Sequence, residues 1–431
     1  MCATSLILFA ALDLGTLFAN KDAWIGKAEF FAVEHAKEGF QFASESRDIV
    51  NCLKHDTCTW HGLKVWETKV YFDKGGEEER IARVELSLYN RGDAGDETMD
   101  VAALKREIAD VARKLDPTAK KWKPEKVTLK NDALQYRVCF DKADPAGEVV
   151  WGLSAPREDN RRAVEYLRLT LTPKDEDKSR RKPAAGKPKG AVGKAKIKDN
   201  VTKSPNGDVF IDNVPMVDQG QKGYCAAAVS ERVLRYYGNR IDEHEIAQQA
   251  GSRAAGGTRA GDMIATVREI GVKKRLGFNQ IVSTAVSLDE LEKEVEQYNK
   301  AAKSMKEPEV SVAAHTYGLM VMVSEIYDEM KPKVLKKMRT RDARYRKFLT
   351  GVKTQIDKGV PICWGVTLGV FPEPGLNPQS KGGHMRLIIG YNAKTHEILY
   401  SDTWGAGHEL KRMPEDWAFT ITHEAFFLRP L

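Results

Sequence analysis

No apolar run in this 431-residue chain is long enough to cross a bilayer. The nearest approach is at the start, where residues 5–12 and 14–19 make an apolar stretch of signal-peptide length, interrupted by Asp13 and preceded by no Lys or Arg. Two readings of residues 1–19 follow: a truncated signal peptide, which predicts export to the periplasm or the exterior, or a small buried helix, which predicts a cytoplasmic protein. Cysteine is scarce too, and six residues do not settle the compartment. Charge of one sign is missing from most of the chain. The formal net charge is +7, but residues 174–200 alone hold ten Lys or Arg against four Asp or Glu, so the remainder is near neutral. No nucleic-acid partner is therefore expected. Use of the segment as a basic tether is the alternative, and it predicts binding that collapses with salt.

What is present is the composition of a soluble globular protein, 42% hydrophobic and 30% charged. The length exceeds one ordinary core, so two domains and a connector are expected. Residues 20–173 are the first, a small α+β domain. The connector is 174–205, where Arg180-Arg181-Lys182-Pro183-Ala184-Ala185-Gly186-Lys187-Pro188 has no apolar periodicity and predicts a basic disordered linker. The second domain is 206–431.

In the first domain, 63–72, 81–89, 134–140, 148–153 and 164–171 have strand character, several of them alternating, and Leu104, Ile108, Val111 and Leu115 recur at helical spacing. Cys139 is expected in a buried strand. No catalytic set is evident, so substrate or partner binding, regulation, or plain packing all remain open. Cys52, His55, Cys58 and His61 are a rival chemical motif. Their uniform spacing differs from the paired spacings that close tetrahedral zinc sites, and a local Cys52–Cys58 disulfide or an uninvolved pair fits as well. His244, in Asp-Glu-His-Glu-Ile, lacks the second histidine of a zinc-protease helix and is expected at the surface.

The second domain carries the chemistry. Cys225 follows a glycine-rich run, Asp218 to Tyr224, and opens an apolar-striped segment that predicts a helix ending at Gly238-Asn239. A thiol on that first turn sits at the positive end of the helix dipole, which favours the thiolate. His384 follows Gly382-Gly383 and opens a buried strand, 385–390, in which only Arg386 is charged. Asp402 follows a second short strand, 397–400, joined to the first by a turn through Asn392-Ala393-Lys394. Adjacent antiparallel strands bring such a histidine and aspartate together, so the carboxylate can fix the ring tautomer. Gln219 can then donate to an oxyanion together with the Cys225 N–H. Helices are expected at 241–250 and 260–270, joined by a tight turn at Gly256-Gly257-Thr258, and as a long insertion over 288–357. Met320, Met322 and Met330 there are expected in the core. A buried strand is expected at 360–366, and the loop 371–381 is expected to border the cleft.

These residues resemble those of a papain-like cysteine peptidase, similar in style to the branch that includes the bacteriocin-leader-processing peptidases, over about 213–431. The resemblance implies an α+β papain-like fold with a helical half and an antiparallel sheet half. It implies Gln219 as the oxyanion glutamine, Cys225 as nucleophile, His384 as general base and acid, and Asp402 as orienting residue. Asp402-Thr403-Trp404-Gly405 resembles papain's Asn-Ser-Trp-Gly, with Trp404 expected to shield the His–Asp pair. The motif departs from papain at Lys222-Gly223-Tyr224-Cys225-Ala226, where papain has Cys-Gly-Ser-Cys-Trp, and at Asp402. The implied activity is hydrolysis of peptide or isopeptide bonds in a peptide or protein substrate, through a thioester, with no metal or organic cofactor. A transpeptidase with an amine acceptor and a catalytically inactive peptide-binding module are the alternatives. Oligomeric state is left open.

Overall fold

Period-two alternation becomes sheet in the computed structural model of the chain, which describes residues 11–74, 78–95, 97–118, 121–129, 132–174, 196–239, 241–252, 258, 260–283, 287–318, 320–373 and 381–431. The N-terminal half begins with β1 (Leu12–Asp13), α1 (Leu14–Ala19), α2 (Ala28–Glu34), β2 (Gln41–Phe42), β3 (Ile49–Cys52), β4 (Cys58–Trp60) and β5 (Leu63–Lys64). It continues with β6 (Glu67–Asp73), β7 (Arg80–Asn90), α3 (Val101–Leu115), β8 (Glu125–Thr128), β9 (Leu134–Phe140), β10 (Ala146–Leu153) and β11 (Val164–Thr172). Eight strands pair in the order β2-β3-β6-β7-β11-β10-β9-β8, all antiparallel. Val70, Phe72, Val84, Leu86, Leu167 and Leu169 turn one face of this sheet into a core shared with Leu104, Ile108 and Val111 of α3. Asp100 caps α3 by accepting from the Ala103 N–H at 2.6 Å.

Leu14 and Phe18 of α1 are buried in the same core, and β1 pairs in parallel with β4. From residue 12 the segment read as a possible leader is thus built into the N-terminal core, where each such side chain contributes roughly 1.5–3 kcal/mol. Residues 1–10 lie outside the described residues. Among the described residues no helix is long and apolar enough to cross a membrane.

The C-terminal half comprises β12 (Val201–Lys203), β13 (Asp208–Ile211), α4 (Cys225–Tyr236), α5 (Glu243–Ala250), α6 (Ala260–Lys273), β14 (Leu276–Ser283), α7 (Leu288–Met305), β15 (Thr316–Tyr317), β16 (Met320–Val321), α8 (Val323–Glu329), α9 (Pro332–Arg339) and α10 (Ala343–Ile356). Then come β17 (Ile362–Leu368), β18 (Gly382–Asn392), β19 (Glu397–Ser401), β20 (Lys411–Pro414), α11 (Glu415–Ile421) and β21 (Thr422–Pro430). Its sheet runs β12-β13-β18-β17-β21-β14, with β19 on β18 and β20 on β19. The helix α4 packs Ala226, Ala227, Val229 and Val233 against Met385, Leu387 and Ile389 of β18, so helices and antiparallel sheet share a core as a papain-like α+β fold requires. The insertion α7 to α9 has its own core around Leu291, Tyr298, Ile326 and Val334.

Several sequence expectations need correction. The basic linker was expected to reach 205, yet Val201–Lys203 is an edge strand paired with β13; Val-Thr-Lys carries no apolar alternation, and only its partner makes it a strand. Residues 175–195 of that segment lie outside the described residues, as do most of the Gly256-Gly257-Thr258 turn and residues 374–380 of the loop expected beside the cleft. Cys139 is exposed, because β9 presents it on the solvent side. Met320 is exposed on the β15–β16 hairpin, whereas Met330 is buried. His244 is buried rather than superficial, because the N-terminal sheet covers its face of α5. Cys52 and Cys58 are free thiols, each beside the Thr57 hydroxyl, while His55 stacks on Trp66 and His61 meets Trp60 edge-on, so the four do not converge as ligands.

Candidate active site

The run of seven residues before α4 is short on side-chain bulk and long on turns. Gly220 has φ +63°, a left-handed value that favours glycine, and the Asp218 carboxylate accepts from its N–H. Tyr224 is the N-cap, and Cys225 is the first residue of α4, half-buried at the positive end of the dipole. The helix stops where expected, with Gly238 at φ +80° and the Asn239 N–H returning to the Leu234 carbonyl.

His384 enters from β18, paired on one side with Val366 of β17. On the other side β19 aligns Ser401 with Leu387, which carries Asp402 to the mouth of the same strand pair. The ring Nε2 lies 2.5 Å from Asp402 Oδ1, and both groups are buried. With Nε2 committed to the carboxylate, the other ring nitrogen is left for the neighbouring Cys225 thiol. Cys225, His384 and Asp402 are therefore contiguous. Trp404 stacks on His384 with ring centroids 4.6 Å apart and planes 15° from parallel, closing one side against water.

The electrostatics follow from this contact chain. Burial raises the Cys225 thiol, but the His384 hydrogen bond and charge, with the N–H groups of Met385 and Ala226, outweigh it and bring the pKa below the ordinary value. Burial alone would keep His384 neutral; Asp402 and the neighbouring thiol reverse that and push its pKa up to about 9. Asp402, also penalised by burial, is held down to about 2 by His384 and Arg386. Such a set can hold a thiolate beside an imidazolium.

Gln219 is buried and doubly tied to the Asp402 strand: its N–H donates to the Thr403 carbonyl at 2.9 Å, and the Thr403 hydroxyl donates to its Oε1. Its Nε2 donates to the Lys222 carbonyl at 3.0 Å. An amide nitrogen carries two protons, so one remains for a ligand. The sequence reading thus placed four residues that the structure brings together.

Three further side chains were not singled out. Arg386, two residues beyond His384 and so on the same face of β18, sets its Nε 3.0 Å from Asp402 Oδ2 and reaches Glu373 with a terminal nitrogen at 2.8 Å. Its signal was visible: a lone charge in an otherwise apolar strand. Arg232, two turns along α4, donates to the Asp402 carbonyl at 2.6 Å, the Ser401 hydroxyl at 2.5 Å and the Pro215 carbonyl at 2.7 Å. Nothing local in the sequence marks it. Lys222 is the third, discussed below. Elsewhere, the ligand-type atoms of Glu67, Glu243 and His244 lie within 4.8 Å of one another, but the carboxylates already hold two ammonium groups, Lys69 and Lys222.

Residues 211–424 match the model of the Peptidase_C39 like family. No curated protein matches. Among solved structures, the peptidase domain of Streptococcus ComA, a bifunctional ABC transporter involved in a quorum sensing pathway, aligns with 51% of this chain and 99% of its own at 11% identity and a TM-score of 0.26. Xylellain, a cysteine protease from Xylella fastidiosa, aligns with 56% of this chain and 90% of its own at 11% identity and a TM-score of 0.28. The family match is in line with the resemblance carried by the motif residues: residues 211–424 are similar to the C39-like cysteine peptidases.

Proposed function

We propose that the protein cleaves peptide or isopeptide bonds through Cys225, His384, Asp402 and Gln219. The Cys225 thiolate attacks the carbonyl carbon, and the oxygen takes the electron pair, stabilised by Gln219 Nε2 and the Cys225 N–H, each worth about 3 kcal/mol in such sites. Collapse breaks the C–N bond as His384 gives its proton to the leaving amine, leaving a thioester on Cys225. The neutral imidazole then takes a proton from water, whose oxygen attacks the thioester and expels the thiolate. Asp402 holds the ring through both transfers. The substrate class is a peptide or protein, in keeping with the peptidase family.

The observation that supports this most strongly is the buried His384–Asp402 hydrogen bond, with the Cys225 thiol at the start of α4 beside the same ring. It predicts that alkylation of Cys225, followed by peptide mass spectrometry against pH, persists well below the roughly 8.5 of a free thiol and loses that acid reach in His384→Ala. Identical curves near pH 8.5 in both proteins would mean an ordinary thiol and end the peptidase reading. Products formed with and without an added amine then distinguish hydrolysis from transpeptidation.

A further inference from the structure

Two side chains of the loop before Cys225, Lys222 and Tyr224, leave the C-terminal half and enter the N-terminal one, and Gly220 brings the backbone close to it. At Gly220 a Cβ would lie 3.6 Å from Leu53, the residue after β3. The Lys222 ammonium, its side chain only 2% exposed, reaches Glu67 Oε2 of β6 at 2.7 Å and Asp93 Oδ2, beyond β7, at 3.4 Å. The Tyr224 hydroxyl donates to Asn90 Oδ1 at 3.1 Å, and the ring presses on Gly92, where a Cβ would come within 2.7 Å of it. Gln219 and Cys225 turn the other way, to Thr403 and His384. The same Lys222 whose side chain is buried in the N-terminal sheet offers its carbonyl to Gln219 Nε2.

A buried ammonium keeps its place only while its carboxylates keep theirs, because leaving it unpaired is strongly unfavourable. Glu67 is itself bridged by Lys69, which also meets Glu243 of α5 at 3.2 Å, so the loop is gripped from both halves. We propose that the N-terminal sheet is a working part of the oxyanion site, with Lys222, anchored by Glu67 and Asp93, acting as the positioning residue that aims Gln219 Nε2. This rests on the cysteine peptidase reading and assigns to the N-terminal half a role within that site.

Two reagents separate this role from mere stability. Iodoacetamide meets the Cys225 thiolate by direct displacement and forms no oxyanion, whereas the p-nitrophenyl ester of benzoylglycine acylates it through a tetrahedral one. In the full-length chain, Lys222→Met is expected to slow acylation at least about tenfold, as loss of an oxyanion donor does, while alkylation and its pH profile stay within about threefold. Gln219→Ala should lose as much, the double variant no more than either, and Lys222→Arg should recover most of the rate. Should Lys222→Met fail to fold, the pairs Lys222→Met with Glu67→Gln, and Asp93→Asn alone, carry the same expectation. Acylation that stays within threefold of the wild type, or that falls in step with alkylation, overturns the proposal. A wild-type chain that alkylates below pH 7 yet never acylates overturns the peptidase reading itself, a different and separately visible failure.

Discussion

Asp402 serves two cations with two oxygens, His384 on Oδ1 and Arg386 on Oδ2, and this division sets the acid–base behaviour of the site. Burial works against the His384 charge, and the carboxylate restores it, so the ring stays protonated until about pH 9. The Cys225 pKa moves the opposite way, below its ordinary value. Turnover that needs both thiolate and imidazolium is then lost on the acid side as Cys225 takes up its proton and on the alkaline side near pH 9 as His384 gives one up. Asp402→Asn removes the charge but keeps an acceptor; His384 should lose its proton at lower pH, and the acid limb of Cys225 alkylation should move to higher pH. An unmoved limb would mean that the carboxylate does not govern the pair. The histidine, aspartate, thiol and amide were all legible in the sequence because each sits beside glycine, at a strand mouth or, for Cys225, at the start of a helix that follows a glycine-rich run. Arg386 was legible only as an oddity, since its meaning depends on a carboxylate sixteen positions away that β19 delivers.

Two elements meet where the site is assembled: the loop before α4 and the turn after β19. Gly405 has φ +79°, and a Cβ there would strike the Asp218 carboxylate, so glycine is required twice over. Gly405→Ala should cost about 1–3 kcal/mol from the backbone alone, read as a lower urea midpoint, and should disturb Asp218 and the adjacent Gln219. A midpoint within error of the wild type would show that the turn yields freely. At this scale the sequence was a good guide to α3, α4, β7, β9 and β11, but it ran 63–72 together as one strand, where the chain breaks at Val65-Trp66 into β5, paired with β4, and β6, in the large sheet. It was a poor guide to Val201–Lys203, whose strand identity comes from β13, and to His244, placed in α5 without sight of what covers that helix.

Across the whole molecule the central strands of the N-terminal sheet, β6, β7 and β11, are covered on both faces. Val70, Val84, Leu86 and Leu169 form one face, and Glu67, Lys69, Tyr71, Glu85, Tyr166 and Arg168 line the other. Arg168 pairs with Asp242 at 2.9 Å and Lys69 with Glu243, so charges that alternate like a solvated face in fact dock on α5 and its cap. Gln248 adds a neutral contact, its Nε2 donating to the Leu134 and Leu153 carbonyls at 3.1 and 2.8 Å. Gln248→Ala should leave those carbonyls unpaired and lower stability by about 1–3 kcal/mol in a denaturant titration, with the Cys225 alkylation profile unchanged. A neutral result would show that water replaces the amide.

The alternation of apolar residues, the helix that begins at Cys225, and the order of Gln219, Cys225, His384 and Asp402 are properties of local pattern, and the sequence by itself determined them. Local pattern reports which residues prefer burial or a given backbone, and reports nothing about which buried surface meets which. The pairing of Lys222 with Glu67 and Asp93, of Arg386 and Arg232 with the Asp402 strand end, and of His244 with Asn90 joins positions far apart in the chain. Such charges look solvated in sequence because ions prefer water, and only the tertiary structure supplied the partners that make their burial tolerable.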